Sequence, residues 1–283
     1  MESKSSSFAS LKYHDIFNYP LTSDEIKKWQ VGKEFTISNL QFPTNEKQNF
    51  HFINGRQNII KTRIQNEKYS KKKLKIAKEA AKTISRIPTV LFVGITGSLA
   101  MMNAKKDSDI DLLIITKSEM LWISRLLVYC LLVIGDFSLR KPRVKNERDT
   151  LCLNMWLDET DLVWDKKDRN IYTAHEIAQV VPLVNKNKIY KRFLNINKWI
   201  LNYWPNSVKI RKSNIEYRNK LEFSKIKYLN IVSNFVLRAS NLVSFKFQYW
   251  YMKNKITREV VTPTRAIFHP NDWGSVVLKK LST

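Results

Sequence analysis

"VGITGSLAMMNAKKDSDIDLLIIT", residues 93–116, decides the fold. The stretch opens on an apolar strand, breaks at Gly97 and Ser98, and sets Asp109 and Asp111 at the head of a second apolar run. Side chains on a strand alternate with a period of two, so Asp109 and Asp111 project from one face while Ile110 and Leu112 enter the core. Two carboxylates so placed repel each other, and the arrangement costs stability unless a cation lies between them. Hard oxygen ligands suit Mg²⁺, which keeps part of its water shell and shares the rest with substrate phosphates. Gly97 lets the backbone approach a phosphate closely, and Ser98 offers an amide and a hydroxyl at the start of a short helix, where anions are favoured. The expected metal and phosphate sites therefore adjoin.

Outward from this stretch, "SKKKLKIAKEAAKTISRIP" (70–88) places Leu74, Ala77, Ala81 and Ile84 at helical spacing, with its lysines toward water and its end before Pro88. Residues 89–95 read as a buried strand, 99–104 as a short helix and 109–116 as a second strand. The run 118–134, apolar nearly all round, reads as a helix packed on the sheet. A third strand is expected at 151–157, with Leu151, Leu153, Met155 and Leu157 on the core face and Cys152, Asn154, Trp156 and Asp158 on the other. Beyond Asp161 the pattern turns helical, at 169–183, 190–206 and about 221–254. Toward the N-terminus a helix is expected at 8–17 and a second begins at Thr22, whose capping-box partner is Glu25, with Leu21 stapled on Ile26 and Gly32 as the stop. A short helix at 36–40 and a strand and turn in "NFHFINGR" (49–56) complete that segment.

The chain has 283 residues, 43% of them hydrophobic and 12% aromatic, enough to bury a core without covalent staples. Its 49 Lys and Arg against 25 Asp and Glu give a formal charge of +24, which suits a polyanionic partner, RNA or DNA, held through a basic surface. Lys, Asn and Ile are abundant throughout, and a solvated lysine-rich surface is the alternative. Cys130 and Cys152 lie in apolar surroundings without CxxC spacing, which speaks against a disulfide framework or zinc site and for a reducing, cytoplasmic setting. The N-terminus lacks the apolar core of a signal peptide and the run 126–135 is too short to span a bilayer, so no membrane partner is expected.

Gly97-Ser98, the ten residues 99–108, and Asp109-Ile110-Asp111-Leu112 resemble the hydrophobic-G-[GS], spacer, D-h-[DE]-h signature of the DNA polymerase beta-like nucleotidyltransferase superfamily. Thr96 stands where a hydrophobic residue usually precedes the glycine. The stretch is most similar to compact bacterial and archaeal members. With "LCLNMWLDE", "RNIYTAHEIAQ" and "FHPND", the chain resembles a group in which that domain follows a winged-helix-like segment. The resemblance implies an α+β fold, a mixed β-sheet flanked by helices. It divides the chain into a winged-helix-like segment (1–66), a catalytic domain (67–165) and a helical C-terminal domain (166–283).

The activity implied is Mg²⁺-dependent transfer of a nucleoside monophosphate from an NTP to an acceptor hydroxyl of RNA, protein or a small molecule, releasing pyrophosphate. In that scheme Asp109 and Asp111 are catalytic and hold one Mg²⁺ ion or two, Gly97 and Ser98 cradle the β and γ oxygens, and Lys105 meets the incoming triphosphate. In-line displacement depends on positioning and charge neutralisation, so no nucleophilic Ser or Cys is required. The superfamily commonly adds a third carboxylate on a neighbouring strand. Here Asn154 stands at that place. It can coordinate through its carbonyl oxygen but cannot act as a base, and Asp158, about 13 Å along by strand rise, is the alternative metal ligand.

The remaining candidates read as structural. His14, His51, His175 and His269 lack ligand spacing, Trp156, Trp199 and Trp204 suit core packing, and Arg125 on its apolar helix suits an ion pair better than substrate contact. Two other classes stay open beside the enzyme: a nucleic-acid-binding regulator on the same fold with weak or no catalysis, and a toxin–antitoxin component.

Overall fold

Short runs rich in Val, Ile and Leu form the middle of one sheet, and helices with apolar stripes cover both of its faces. The computed structural model describes residues 2–32, 44–141, 147–208, 230–268 and 272–282. The chain begins with α1 (Glu2–Asp15) and α2 (Ser23–Lys28). The capping box forms: the Glu25 amide donates to Thr22 Oγ1 at 3.3 Å and the Thr22 amide to Glu25 Oε2 at 2.9 Å. A hairpin follows, β1 (Thr44–Lys47) and β2 (Phe50–Ile53), turning through Gln48 and Asn49, both at positive φ. The helix expected at 36–40 lies outside the described residues.

The 26-residue helix α3 (Ile59–Ile84) starts well before residue 70 and runs across the expected boundary at residue 66. Not all its lysines face water: Lys73 is 1% exposed. Then come β3 (Val90–Ile95), α4 (Gly97–Ala100), β4 (Ile110–Thr116), α5 (Leu121–Ile134) and β5 (Leu151–Asp158). The C-terminal part is not purely helical. Its order is α6 (Ile171–Ala178), β6 (Val181–Asn185), α7 (Ile189–Ile196), α8 (Ile200–Tyr203), α9 (Asn230–Met252), β7 (Val260–Val261), β8 (Arg265–Ile267) and α10 (Trp273–Ser282). Residues 169–183 change from helix to strand because Val180, Val181 and Pro182 disfavour helix, and Pro182 is tolerated where β6 forms the edge.

The sheet order is β6-β3-β4-β5-β8-β7, mixed, with β4 and β5 its parallel pair. Between the pairs Asp111–Cys152 and Leu113–Met155, β4 advances two residues and β5 three, a bulge that breaks the expected alternation. Trp156 rather than Met155 therefore joins Leu151 and Leu153 in the core beneath α3 and α5. Met155 and Leu157 join Leu113 and Ile115 in the core of the opposite face, which takes residues from α1, α2, α6, α7, α8 and α10. No helix among the described residues is long and apolar enough to cross a membrane.

Candidate active site

The end of β3 brings Gly97 over the head of β4. The Thr96 amide donates to the Asp111 carbonyl at 3.0 Å, and Gly97 then turns the chain at φ +60° into α4. A Cβ at residue 97 would lie 2.5 Å from Asp111 Oδ2, so glycine is required both by the backbone angle and by the closeness of the carboxylate. Ser98 is exposed at the start of α4, and Lys105 lies exposed in the loop before β4. That loop is held from below: Lys73 Nζ donates to the carbonyls of Lys106 (3.1 Å) and Ser108 (2.7 Å) and to Asp149 Oδ1 (2.6 Å).

Asp109 and Asp111 converge. Ile110 and Leu112 are fully buried between them in the core, while the two carboxylates and Cys152 Sγ present ligand atoms within 4.8 Å of one another. Arg140 Nη1 donates to Asp109 Oδ2 at 2.6 Å and lies 3.5 Å from Cys152 Sγ, and its Nη2 donates to Glu147 Oε1 at 2.5 Å. Asn154 Nδ2 donates to Asp111 Oδ1 at 2.7 Å. Burial, reinforced by the charge of Asp109, pushes the Asp111 carboxyl up to about 7. The same surroundings hold the Cys152 thiol well above its ordinary value, so it stays a neutral thiol.

The residues fit a hard divalent cation. Asp109 and Asp111 supply carboxylate oxygens, and Asn154 Oδ1 is buried with no hydrogen-bond partner, a carbonyl oxygen left over at the site. A neutral thiol is a poor ligand for Mg²⁺, which leaves Cys152 as a wall of the site.

Asp158 is not brought to this cluster. It pairs with Thr116 at the far end of β4, and its fully buried carboxylate accepts from the Glu119 amide (2.6 Å), the Thr160 amide (2.9 Å) and Thr160 Oγ1 (2.6 Å). Arg125 makes no ion pair among the described residues, where one was expected. Its guanidinium lies over the rings of Tyr129 and Phe268 and donates to Gln248 Oε1.

Three residues join the site without having been picked out from sequence: Arg140, Cys152 and Glu176. Arg140 is fixed by its own backbone, whose amide donates to the Leu151 carbonyl at 2.9 Å. Glu176, on α6, is pushed up to about 8 by burial and then by the charge of Asp111, and its Oε1 accepts from Gln179 Nε2 at 2.6 Å. It lines a cavity of about 430 Å³ with Leu113, Met155, Trp164, Tyr172 and Trp273, on the face of the sheet that carries Asp111. No single-sequence signal marks these residues: Arg140 stands in an irregular loop, and Glu176 is one polar residue on an otherwise ordinary helix.

The family model described as nucleotidyltransferase domain matches residues 74–227, more than half of the chain. The matched span takes in β3, the Gly97 turn, the acid pair, β5 and α6. No curated protein and no solved structure matches the chain.

Proposed function

The chain belongs to the nucleotidyltransferase domain family, and on that premise we propose a Mg²⁺-dependent enzyme that transfers a nucleoside monophosphate from an NTP to an acceptor hydroxyl with release of pyrophosphate. The observation that carries this proposal is the convergence of Asp109 and Asp111 directly beneath the Gly97 turn. Asp109, Asp111 and the Asn154 carbonyl oxygen would hold the metal, which when bound neutralises the triphosphate and polarises its α-phosphorus. Gly97 admits the phosphate chain close to the backbone, with Ser98 and Lys105 on its exposed side. Arg140, once its hold on Asp109 is released, has its Nη1 edge available for the triphosphate oxygens while Nη2 stays on Glu147.

Asn154 leaves β5 without a base at this point. In our proposal Glu176 takes the acceptor proton, because its carboxyl lines the adjoining cavity and burial, with the charge of Asp111, raises its affinity for a proton. A small hydroxyl compound suits that cavity, and RNA suits the +24 charge. We assign the N-terminal segment, with α1, α2 and the β1–β2 hairpin, a winged-helix-like role in holding an acceptor, and the unpaired cysteines go with a cytoplasmic setting.

The test is label transfer from each α-³²P-labelled NTP, with Mg²⁺, onto total RNA, a protein lysate or small-molecule acceptors. Transfer lost in the Asp109→Ala, Asp111→Ala double variant supports the enzyme. The Arg140–Asp109 pair and Asn154 favour a second reading, a nucleic-acid-binding regulator on a silent catalytic fold. Salt-dependent RNA binding with no transfer from any NTP would select it.

A further inference from the structure

Helix α9 turns Asn241, Ser244 and Gln248 inward and a row of apolar residues outward. On its inner side Asn241 Oδ1 accepts from the amides of Trp122 (2.8 Å) and Ile123 (3.1 Å). Ser244 Oγ and Gln248 Nε2 donate to the Trp122 carbonyl at 3.0 and 2.9 Å, and the Phe245 ring lies against Trp122. These contacts seal the start of α5 and fix how α9 is rotated. At about 100° per residue, Val236, Val243, Phe247 and Trp250 then fall on the opposite side, where a helix on a soluble surface would be polar. Their exposures are 54, 67, 64 and 65%, with Tyr251 at 62% beside them. The stripe is about 21 Å long by helical rise. An exposed apolar stripe of this kind marks an interaction site.

We propose that this outward face of α9 docks on an anionic lipid bilayer, lying in the headgroup region without crossing it. Exposed Lys246 and Lys253 lie on one flank of the stripe, and Trp250 and Tyr251 end it; Lys, Trp and Tyr beside aliphatic residues are the set that settles at a bilayer interface. The sequence just before α9, residues 209–229, has seven Lys and Arg against two Glu, within a chain of net charge +24. That charge repels a second copy of the chain and is attracted to acidic headgroups. The aliphatic half of the stripe, Val236 and Val243, offers nothing for nucleic-acid bases to stack on. The assignment departs from the absence of a membrane partner expected from sequence and is independent of the nucleotidyl-transfer proposal.

Co-sedimentation of the full chain with vesicles of phosphatidylcholine alone, or with 30 mol% phosphatidylglycerol (roughly the anionic fraction that gives a strong surface potential), tests it. Binding is expected to the anionic vesicles and to fall about tenfold or more in the Phe247→Ser, Trp250→Ser double variant. Both side chains are exposed, so the variant should keep the wild-type circular dichroism and melting, and those are measured alongside. Absence of binding to anionic vesicles, or equal binding by the double variant, would overturn the proposal. So would a wild-type dimer that the double variant converts to monomer, or RNA binding that the double variant loses.

Discussion

Asp111 concentrates the chemistry of the chain at one atom pair: Oδ1 accepts from Asn154, and Oδ2 lies where a Cβ on residue 97 would intrude. Gly97→Ala should therefore cost about 1–2 kcal/mol for the left-handed backbone angle, read by urea denaturation, and should abolish metal and nucleotide binding even in the fraction that folds. Arg140 is the counter-ion of Asp109, so it competes with a divalent cation for that carboxylate. Replacing Arg140 by Gln is predicted to tighten Mg²⁺ binding in the absence of nucleotide by about tenfold, ~1.4 kcal/mol, because a competing cation is gone. The same variant should weaken binding of the Mg²⁺–NTP complex, and calorimetry on both titrations distinguishes this pattern from general damage to the site.

At the scale of elements, the strand–turn–strand unit rests on a long helix. Lys73 of α3 reaches two carbonyls of the loop that delivers Asp109, together with Asp149 from the far side. Lys73→Met keeps the stem but removes three hydrogen bonds, leaving the Lys106 carbonyl without this donor, the Ser108 carbonyl with only the Asp149 amide at 3.3 Å, and the Asp149 carboxylate with Arg148. A loss of about 2 kcal/mol is expected, with faster amide hydrogen exchange at residues 106–109 and weaker metal binding. The strands β3 and β4, the Gly97 turn and the Thr22–Glu25 cap were legible in the sequence because each is set by neighbours within a few residues: apolar runs, a glycine, a capping pair. What was not legible depends on partners distant in the chain. The bulge in β5, which places Met155 and Trp156 on opposite faces from those expected, arises from register with β4. The burial of Lys73 depends on Ser108 and Asp149, and the strands β6, β7 and β8 are too short or too proline-marked to show a period. Arg140 and Glu176 reach the site only through the fold.

Over the whole molecule, both ends of the chain share a core. His14 of α1 is 2% exposed, packed among the rings of Tyr13, Trp29, Trp204 and His175, with Nδ1 at 2.8 Å from the Ser10 carbonyl. Burial lowers its pKa to about 4. The unfolded chain binds this proton near pH 6.5 and the folded chain only near 4, so the unfolded state gains as pH falls between these values. Stability is unaffected above pH 6.5, and the penalty approaches about 3 kcal/mol near pH 4. Urea titrations at pH 7 and 4.5 should show wild type losing more stability than His14→Gln by nearly that amount. Tryptophan fluorescence and circular dichroism should follow one shared transition, because one core joins α1, α6, α8 and α10. The acid pair at the edge of that core is the central claim, and its most direct test is calorimetric titration of Mg²⁺ into the chain in the presence of an NTP analogue that cannot be cleaved at the α-phosphate. A saturable binding heat is predicted, absent in the Asp109→Asn, Asp111→Asn double variant; no metal binding by the wild type, or the same heat from the double variant, would contradict the account.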